Sequence, residues 1–107
     1  MEIYGLIKMG LDASALRADA ISQNIANVNT PGYKSKYVTF EETLKENSKT
    51  GPKITLEESK ASSMRTDGNN VDLEIEKVNQ ASNSLQYNAL VTVMNAKLSL
   101  AKSVING

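Results

Sequence analysis

The chain has 107 residues, 40% of them hydrophobic, and its 12 basic and 12 acidic residues cancel. A chain of this length forms one domain at most, and balanced charge argues against a nucleic-acid partner or an anionic membrane surface, since both attract clustered Lys and Arg. The sequence contains neither Cys nor His, which excludes disulfides, thiol catalysis, a Ser-His-Asp triad and zinc sites of the usual Cys/His kind.

The beginning of the chain lacks the features of a secretory signal. It has no basic n-region and no long apolar core, and no run in the sequence approaches the roughly 18 apolar residues of a membrane span. By these ordinary signals we expect a soluble protein that stays where it is made.

Residues 3–28 follow a helical pattern, with apolar side chains at three- and four-residue steps. This periodicity predicts a helix of about 25 residues, roughly 37 Å long. Residues 27–32, Asn-Val-Asn-Thr-Pro-Gly, predict its end. Asn27 tolerates the left-handed conformation that is frequent at helix C-termini, and Pro31-Gly32 suits the two central positions of a type II turn.

The middle of the chain is expected to be extended and polar. Residues 33–40 alternate loosely and are rich in β-formers, which predicts a short strand or extended arm. Thr39 and Glu42 have the spacing of a capping box, so a short helix would begin there. Residues 47–66 are mostly polar and are expected to lie outside the main packing, with a candidate strand over residues 53–57.

Residues 67–72, Asp-Gly-Asn-Asn-Val-Asp, combine a turn with a helix start. Asp72 is predicted to be the N-cap, with Glu74 and Glu76 placed to suit the helix dipole. A calcium loop is the weaker interpretation, because the twelve-residue pattern and its final Glu are absent. Residues 73–105 contain neither Pro nor Gly and predict a helix of about 50 Å.

The fold predicted from these elements is dominated by α-helix. Long N- and C-terminal helices pair as an antiparallel helical hairpin or coiled coil, and a short extended or β-hairpin-like polar segment lies between them. We divide this single domain into an N-terminal helix (1–30), a turn, arm and polar loop (31–66), and a turn with the C-terminal helix (67–107). Apolar surface remains on both helices, which favours other chains as the covering partner over a self-contained core.

The candidate functional residues are therefore assembly faces. Acidic pairs such as Glu57-Glu58 are simplest as solvated charge, and we predict no catalytic, cofactor or metal site and no enzymatic activity. On helix 1 the assembly face comprises Ile7, Leu11, Leu16, Ile21, Ile25 and Val28. On helix 2 it comprises Leu85, Tyr87, Leu90, Val91, Met94, Leu98, Ala101 and Ile105.

Asparagines are the remaining pattern. Asn24 and Asn27 share one side of helix 1, and four more follow on helix 2: Asn79, Asn83, Asn88 and Asn95. An amide buried between helices fixes their register, because leaving it unsatisfied costs about 1–3 kcal/mol. On solvated faces the same residues would mean little.

Residues 21–34, Ile-Ser-Gln-Asn-Ile-Ala-Asn-Val-Asn-Thr-Pro-Gly-Tyr-Lys, resemble the N-terminal signature of the rod, hook and related axial proteins of the bacterial flagellum. Residues 67–76 and 83–107 are similar to the C-terminal half of the proximal rod type within the flagellar basal-body rod protein family. The middle is shorter than that family usually has. The signature residues, which include the helix-terminating turn, are Asn24, Asn27, Asn29, Thr30, Pro31, Gly32 and Tyr33.

The resemblance implies a structural subunit of the proximal rod, exported by the flagellum-specific type III apparatus without a cleaved signal. Such subunits assemble helically through their terminal helices and transmit torque from the motor ring to the distal rod and hook. The implied partners are copies of itself, other rod proteins, the rod-to-ring adapter, the export gate and the inner-membrane ring. No cofactor, nucleic acid or membrane insertion is implied, and the location is the basal body in the cell envelope.

In this interpretation residues 28–32 end the axial helix and turn the chain outward, while Asn24 and Asn27 hold register against neighbouring subunits. The alternative is a self-contained helical adapter or chaperone-like binding module, whose apolar helix faces pack against one partner helix.

Overall fold

Two long antiparallel helices and one short β-hairpin make up the structure. The computed structural model describes residues 3–41, 53–63 and 65–106. Helix α1 (Ile3–Ala26) is followed by strands β1 (Lys36–Glu41) and β2 (Lys53–Glu58), and helix α2 (Leu73–Asn106) completes the order. The predicted helical hairpin with a β-hairpin-like middle is confirmed, and both predicted helices end within two residues of the observed ones.

Helices α1 and α2 approach closely because Gly10 faces α2 without a side chain. A Cβ atom at Gly10 would lie 3.1 Å from Cδ1 of Leu90. Near the other end of the contact, the Tyr4 hydroxyl donates a hydrogen bond to the Lys97 carbonyl oxygen at 3.2 Å. These contacts pair the first half of α1 with the second half of α2, as an antiparallel hairpin requires.

The small core is built around α1. The buried apolar residues are Ile7, Ala13, Ala20 and Ile21 of α1, Val38 of β1, and Val71 just before α2. The residues that α2 buries are polar, Glu76 and Asn83. Asn83 donates from Nδ2 to the Ser14 carbonyl oxygen at 2.9 Å. Helix α1 therefore supplies most of the buried apolar residues, whereas α2 forms an outer side of the molecule.

The β-hairpin covers part of α1. Val38 lies opposite Leu56 in the antiparallel pairing, and it is buried, with its carbonyl oxygen accepting a hydrogen bond from the Arg17 guanidinium at 3.4 Å. The predicted strand at residues 53–57 is confirmed as β2.

A helix beginning at Thr39 is not observed. Thr39 pairs with Thr55, and Phe40 and Glu41 continue β1, because alternating β-formers and a paired partner strand outweigh a capping box of two residues. The rest of that predicted helix lies outside the described residues.

The molecule is elongated. Its extents are 64 × 33 × 14 Å and its radius of gyration is 17.8 Å, against about 13 Å for a compact chain of this length. Helix α2 has 34 residues and α1 has 24, which correspond to roughly 51 and 36 Å. Since Tyr4 lies beside Lys97, the last turns of α2 project beyond the first described turn of α1.

Candidate functional site: the motif junction and the outward face of α2

Helix α1 ends through tightened turns and side-chain caps. The Asn27 backbone N–H donates to the Gln23 carbonyl oxygen at 3.0 Å and to the Asn24 carbonyl oxygen at 3.2 Å. The Thr30 N–H donates to the Asn27 carbonyl oxygen at 3.0 Å. The Asn27 side chain donates to the Gln23 carbonyl oxygen at 2.8 Å and accepts from the Thr30 hydroxyl at 3.0 Å. No described residue other than glycine has a positive φ, so neither Asn27 nor Asn29 takes the left-handed conformation that Asn tolerates at helix ends.

The chain then reverses at Thr30–Tyr33. The Tyr33 N–H donates to the Thr30 carbonyl oxygen at 3.2 Å, and Gly32 has a φ of 74°. These are the hydrogen bond and the backbone angle of the predicted turn, in which Pro31 takes the second position and Gly32 the third.

Asn24 ties the start of β1 to α1. It is 1% exposed, and its amide pairs with Lys36 as a neighbouring strand would: Nδ2 donates to the Lys36 carbonyl oxygen and Oδ1 accepts from the Lys36 N–H, both at 2.8 Å. The Tyr33 hydroxyl also donates to Oδ1, at 3.2 Å. Asn24 and Asn27 thus have hydrogen-bond partners within the chain. That they hold register against neighbouring subunits stays a prediction.

Asn69 caps the C-terminus of α1 from the second motif. Its side chain is fully enclosed, and Nδ2 lies 2.9, 3.1 and 2.8 Å from the carbonyl oxygens of Asn27, Val28 and Thr30. These three carbonyls belong to the turn that directly follows α1, which ends at Ala26. Asn69 thus joins this turn to the second motif, and its own Oδ1 accepts from the Val71 N–H at 2.8 Å.

Backbone hydrogen bonds join the two motifs further. The Gly32 N–H donates to the Asp67 carbonyl oxygen at 2.8 Å, and the Asn70 N–H donates to the Tyr33 carbonyl oxygen at 3.2 Å. Asn70 Oδ1 accepts from the Ser35 N–H at 2.7 Å. We call these contacts between residues 24–36 and residues 65–72 the motif junction.

Two cations and two glycines complete the motif junction. Arg65 donates to the Val28 carbonyl oxygen and pairs with Asp67 at 2.9 Å, which places positive charge at the C-terminus of α1, where the helix dipole favours it. Lys34 donates to the Gly68 carbonyl oxygen. Gly68 has a φ of 81°, and a Cβ there would lie 3.7 Å from the Gly32 Cα. Sequence reasoning missed Asn69, Asn70 and Arg65, although the consecutive asparagines after Asp-Gly were a signal for side-chain-to-backbone bonding.

The start of α2 follows the prediction. Asp72 Oδ1 accepts from the N–H groups of Glu74 and Ile75 at 3.1 and 3.3 Å, which is the bonding of an N-cap. Glu76, one turn later, is buried rather than solvated.

Two tyrosines near the junction have shifted acidities. Partial burial raises the pKa of Tyr33, and the negative charges of Glu76 and Glu58 raise it further. A hydrogen bond with Glu57, its partner across the hairpin, raises the pKa of Tyr37. Both hydroxyls are therefore held in the neutral, donating form.

The predicted assembly face of helix 1 packs largely within the chain. Ile7 and Ile21 are buried, and Leu11, Leu16, Ile25 and Val28 are half-buried. The predicted assembly face of helix 1 therefore belongs mainly to the core, where α1 packs against β1 and α2.

The predicted assembly face of helix 2 divides into two parts. Leu90, Val91, Met94 and Ala101 are half-buried, on the side of α2 where Leu90 meets Gly10. The exposed members are Leu85, Tyr87, Leu98 and Ile105. Asn83 is buried, while Asn79, Asn88 and Asn95 are exposed.

A second apolar surface runs along α2 on a different side. Its members are 45% to 77% exposed, and we call them the outward stripe: Ile75, Val78, Leu85, Val93, Leu100 and Val104. With Ser82, Ala89 and Ala96 between them, they follow one another at steps of three and four residues. At about 100° per residue all nine positions fall within an arc of about 100°. Helix α2 therefore presents a continuous seam that nothing in the described chain covers.

The described residues contain no cluster of three metal-ligating side chains, and no described helix is long and apolar enough to cross a membrane. The motif junction and the faces of α2 consist of hydrogen bonds and packing surfaces.

Comparison with known proteins agrees with this arrangement. Residues 9–34, which span most of α1 and the turn after it, match the family described as flagella basal body rod protein. The flagellar basal body rod protein FlgB of Bacillus subtilis (strain 168) is 32% identical over 127 aligned positions, which cover 100% of this chain and 98% of that protein. The chain belongs to the FlgB family of flagellar basal body rod proteins.

Other FlgB proteins match over most of their length. That of Aeromonas hydrophila is 27% identical, covering 97% of this chain and 92% of its own, and that of Yersinia enterocolitica is 30% identical, covering 89% and 87%. The Bacillus subtilis alignment has 127 positions against 107 residues here, so that FlgB has 20 positions without a counterpart in this chain. That the difference falls in the middle segment stays a prediction.

Proposed function

We propose that the chain, a structural subunit of the flagellar basal body rod like the FlgB proteins that it resembles over its whole length, belongs to the proximal rod. It assembles helically through α1 and α2, and transmits torque from the motor ring to the distal rod and hook. Torque transmission requires a subunit that does not bend where its elements meet. The motif junction supports this role, because it fixes the end of α1 to the start of α2 with several buried hydrogen bonds.

The outward stripe is the observation that carries the proposal. The six apolar side chains of this stripe remain exposed along α2 after the chain has folded on itself. Monomeric proteins rarely leave a contiguous apolar surface of this kind in water, and a seam with three- and four-residue steps is the surface that packs against another helix. Helices of neighbouring rod subunits are the partners that would cover it.

The same proposal includes partners and location. The neighbours are copies of this chain, other rod proteins, the rod-to-ring adapter, the export gate and the inner-membrane ring. The subunit reaches the rod, within the cell envelope, through the flagellum-specific type III apparatus without a cleaved signal. The role is architectural and involves no catalysis and no cofactor.

The experiment uses a bacterium that lacks its own FlgB protein. It is supplied with this chain or with a variant carrying Leu85→Ser and Leu100→Ser. The matched control carries Asn88→Ser and Asn95→Ser, which change two exposed polar residues on the same helix. We measure swimming, export into the medium, and the amount of the chain in isolated basal bodies.

We expect the stripe variant to be exported but absent from basal bodies, and swimming to be lost, while the control behaves as the unchanged chain. Incorporation of the stripe variant with normal swimming would contradict the proposal. A discrete complex of the unchanged chain with one soluble protein, and none in basal bodies, would favour the adapter instead.

A further inference from the structure

A groove opens between α1, β1 and the first half of α2. It has a volume of about 440 Å³, which admits a few side chains. Its walls include the apolar side chains of Ile21, Val38 and Ile75 and the polar side chains of Arg17, Glu76 and Asn83. The groove shares Ile75 with the outward stripe and Lys36 with the motif junction, but neither of these features accounts for its polar wall.

Two buried acceptors line the groove without a partner. Glu76 is 7% exposed and Asn83 is 6% exposed. Glu76 Oε2 and Asn83 Oδ1 have no hydrogen-bond donor among the described residues. Arg17 and Lys36 also line the groove, but Arg17 donates to the Val38 carbonyl oxygen and Lys36 donates to Gln23 Oε1. A buried carboxylate without a partner costs free energy, so this pair of acceptors is suited to an incoming cationic donor.

Charge along α2 is separated between its two ends. The first turns carry Glu74 and Glu76 together with Lys77, whose ammonium lies 3.9 Å from Glu74, while residues 78–106 contain two lysines, Lys97 and Lys102, and no acidic residue. The charges at the two ends of α2 therefore attract each other, but 34 residues of helix keep the two ends of one copy apart. A lysine near the C-terminal end can meet Glu76 only if it comes from another copy.

The projecting end of α2 has the chemistry that the groove requires. Leu98 and Ile105 are 53% and 82% exposed. Lys102 is exposed between them, four residues after one and three before the other, so all three share one side of the helix. An ammonium flanked by two apolar side chains matches a groove with acceptors between apolar walls.

We propose that the groove of one copy receives the projecting end of α2 from a second copy of this chain. The Lys102 ammonium donates to Glu76 Oε2 and Asn83 Oδ1, and Leu98 and Ile105 pack against the apolar walls. The contact joins two different surfaces, so it is heterologous and repeats without closing unless the rotation closes a ring. It deepens the proposed helical assembly, on which it rests, by naming one copy-to-copy contact.

Disulfide trapping tests this contact directly, because the chain contains no Cys. Cells that lack their own FlgB protein express two forms together, one with Asn79→Cys at the groove and one with Ile105→Cys at the projecting end. Control cells replace Asn79→Cys with Lys8→Cys, an exposed position on α1 outside the groove. After mild oxidation, we measure the cross-linked dimer in isolated basal bodies.

We expect at least about tenfold more dimer from the groove pair than from the control pair. Adding Lys102→Glu to the Ile105→Cys form should remove this excess, because breaking a buried charge pair weakens an interface by at least that factor. Lys97→Glu, which makes the same charge change on the same helix, should leave it intact.

Three outcomes would overturn the inference: equal yields from the groove and control pairs, indifference to Lys102→Glu, or cross-linking of the groove cysteine to a different protein. In each of these cases the proposed function survives if the chain is present in basal bodies and the cells swim. If the unchanged chain never enters basal bodies, the proposed function itself fails.

Discussion

At the scale of single residues, Asn69 connects the two ends of the chain. One amide nitrogen serves three carbonyl oxygens at the end of α1, about 40 residues away in sequence. Water cannot replace it easily, because the side chain is 1% exposed. Asn69 therefore holds the turn after α1 against the Asp67–Asp72 segment.

We predict that Asn69→Ala lowers the free energy of unfolding by about 1–3 kcal/mol, because it leaves the buried Val71 N–H without its acceptor. Urea unfolding followed by circular dichroism measures the change. Asn88→Ala, on the exposed side of α2, should change stability by less than about 0.5 kcal/mol. Equal effects of the two substitutions would show that the Asn69 cap contributes nothing.

Gly32 provides a second residue-scale prediction. Its φ is 74°, and no atom lies within 4 Å of the place that a Cβ would occupy, so a side chain would meet backbone strain but no collision. Gly32→Ala should cost about 1–2 kcal/mol, the penalty for a left-handed residue with a Cβ. Gly32→Asn should cost less, since Asn tolerates this region. If the two variants unfold at the same urea concentration, the turn does not depend on this angle.

Tyr33 makes the motif junction sensitive to alkali. Its pKa is raised above the ordinary value of 10.0 by burial and by the charges of Glu76 and Glu58. The folded state thus prefers the neutral hydroxyl, and the stability that it contributes is present below pH 10 and is lost as the pH rises from there through the raised pKa. In Tyr33→Phe this loss should be missing. Urea unfolding of both proteins on either side of this pH measures it, and parallel declines would contradict the assignment.

At the scale of elements, periodicity was enough to predict both helices and the antiparallel hairpin. The Pro31-Gly32 turn and the Asp72 N-cap also followed from the sequence, because each is a local interaction between residues close in the chain. Asn69 did not follow, since its partners lie about 40 residues away. The division of α2 into an α1-facing side and the outward stripe did not follow either. Apolar residues recur on two sides of this helix, so their spacing does not tell which side faces α1.

This division predicts different effects for two aliphatic residues. Ile21 of α1 is 4% exposed and Leu85 of α2 is 71% exposed. Ile21→Ala should lower the free energy of unfolding by about 2–5 kcal/mol, as for other core truncations. Leu85→Ala should change the stability of the dilute chain by less than about 0.5 kcal/mol, yet weaken assembly. If Leu85→Ala destabilises the dilute chain as strongly, α2 packs with that side inward.

At the scale of the whole molecule, the buried interior is small and the apolar surface is large. Six apolar residues are buried among those described, and the molecule is 64 Å long and 14 Å thick. The last turns of α2 extend beyond α1, where Leu100, Val104 and Ile105 remain exposed. A helix without tertiary contacts is marginal in water, so this end of α2 should be the least stable part of the isolated subunit. Neighbouring subunits would stabilise it by covering it.

Far-UV circular dichroism across a wide range of protein concentration, with mass measured on the same samples, tests the account most directly. We predict lower helix content in the dilute monomer and an increase in step with association, since the outward stripe and the end of α2 gain partners only then. The Leu85→Ser, Leu100→Ser variant should stay at the monomer value. High helix content in a monomer, unchanged at every concentration, would mean that the chain needs no neighbours, and it would contradict the account.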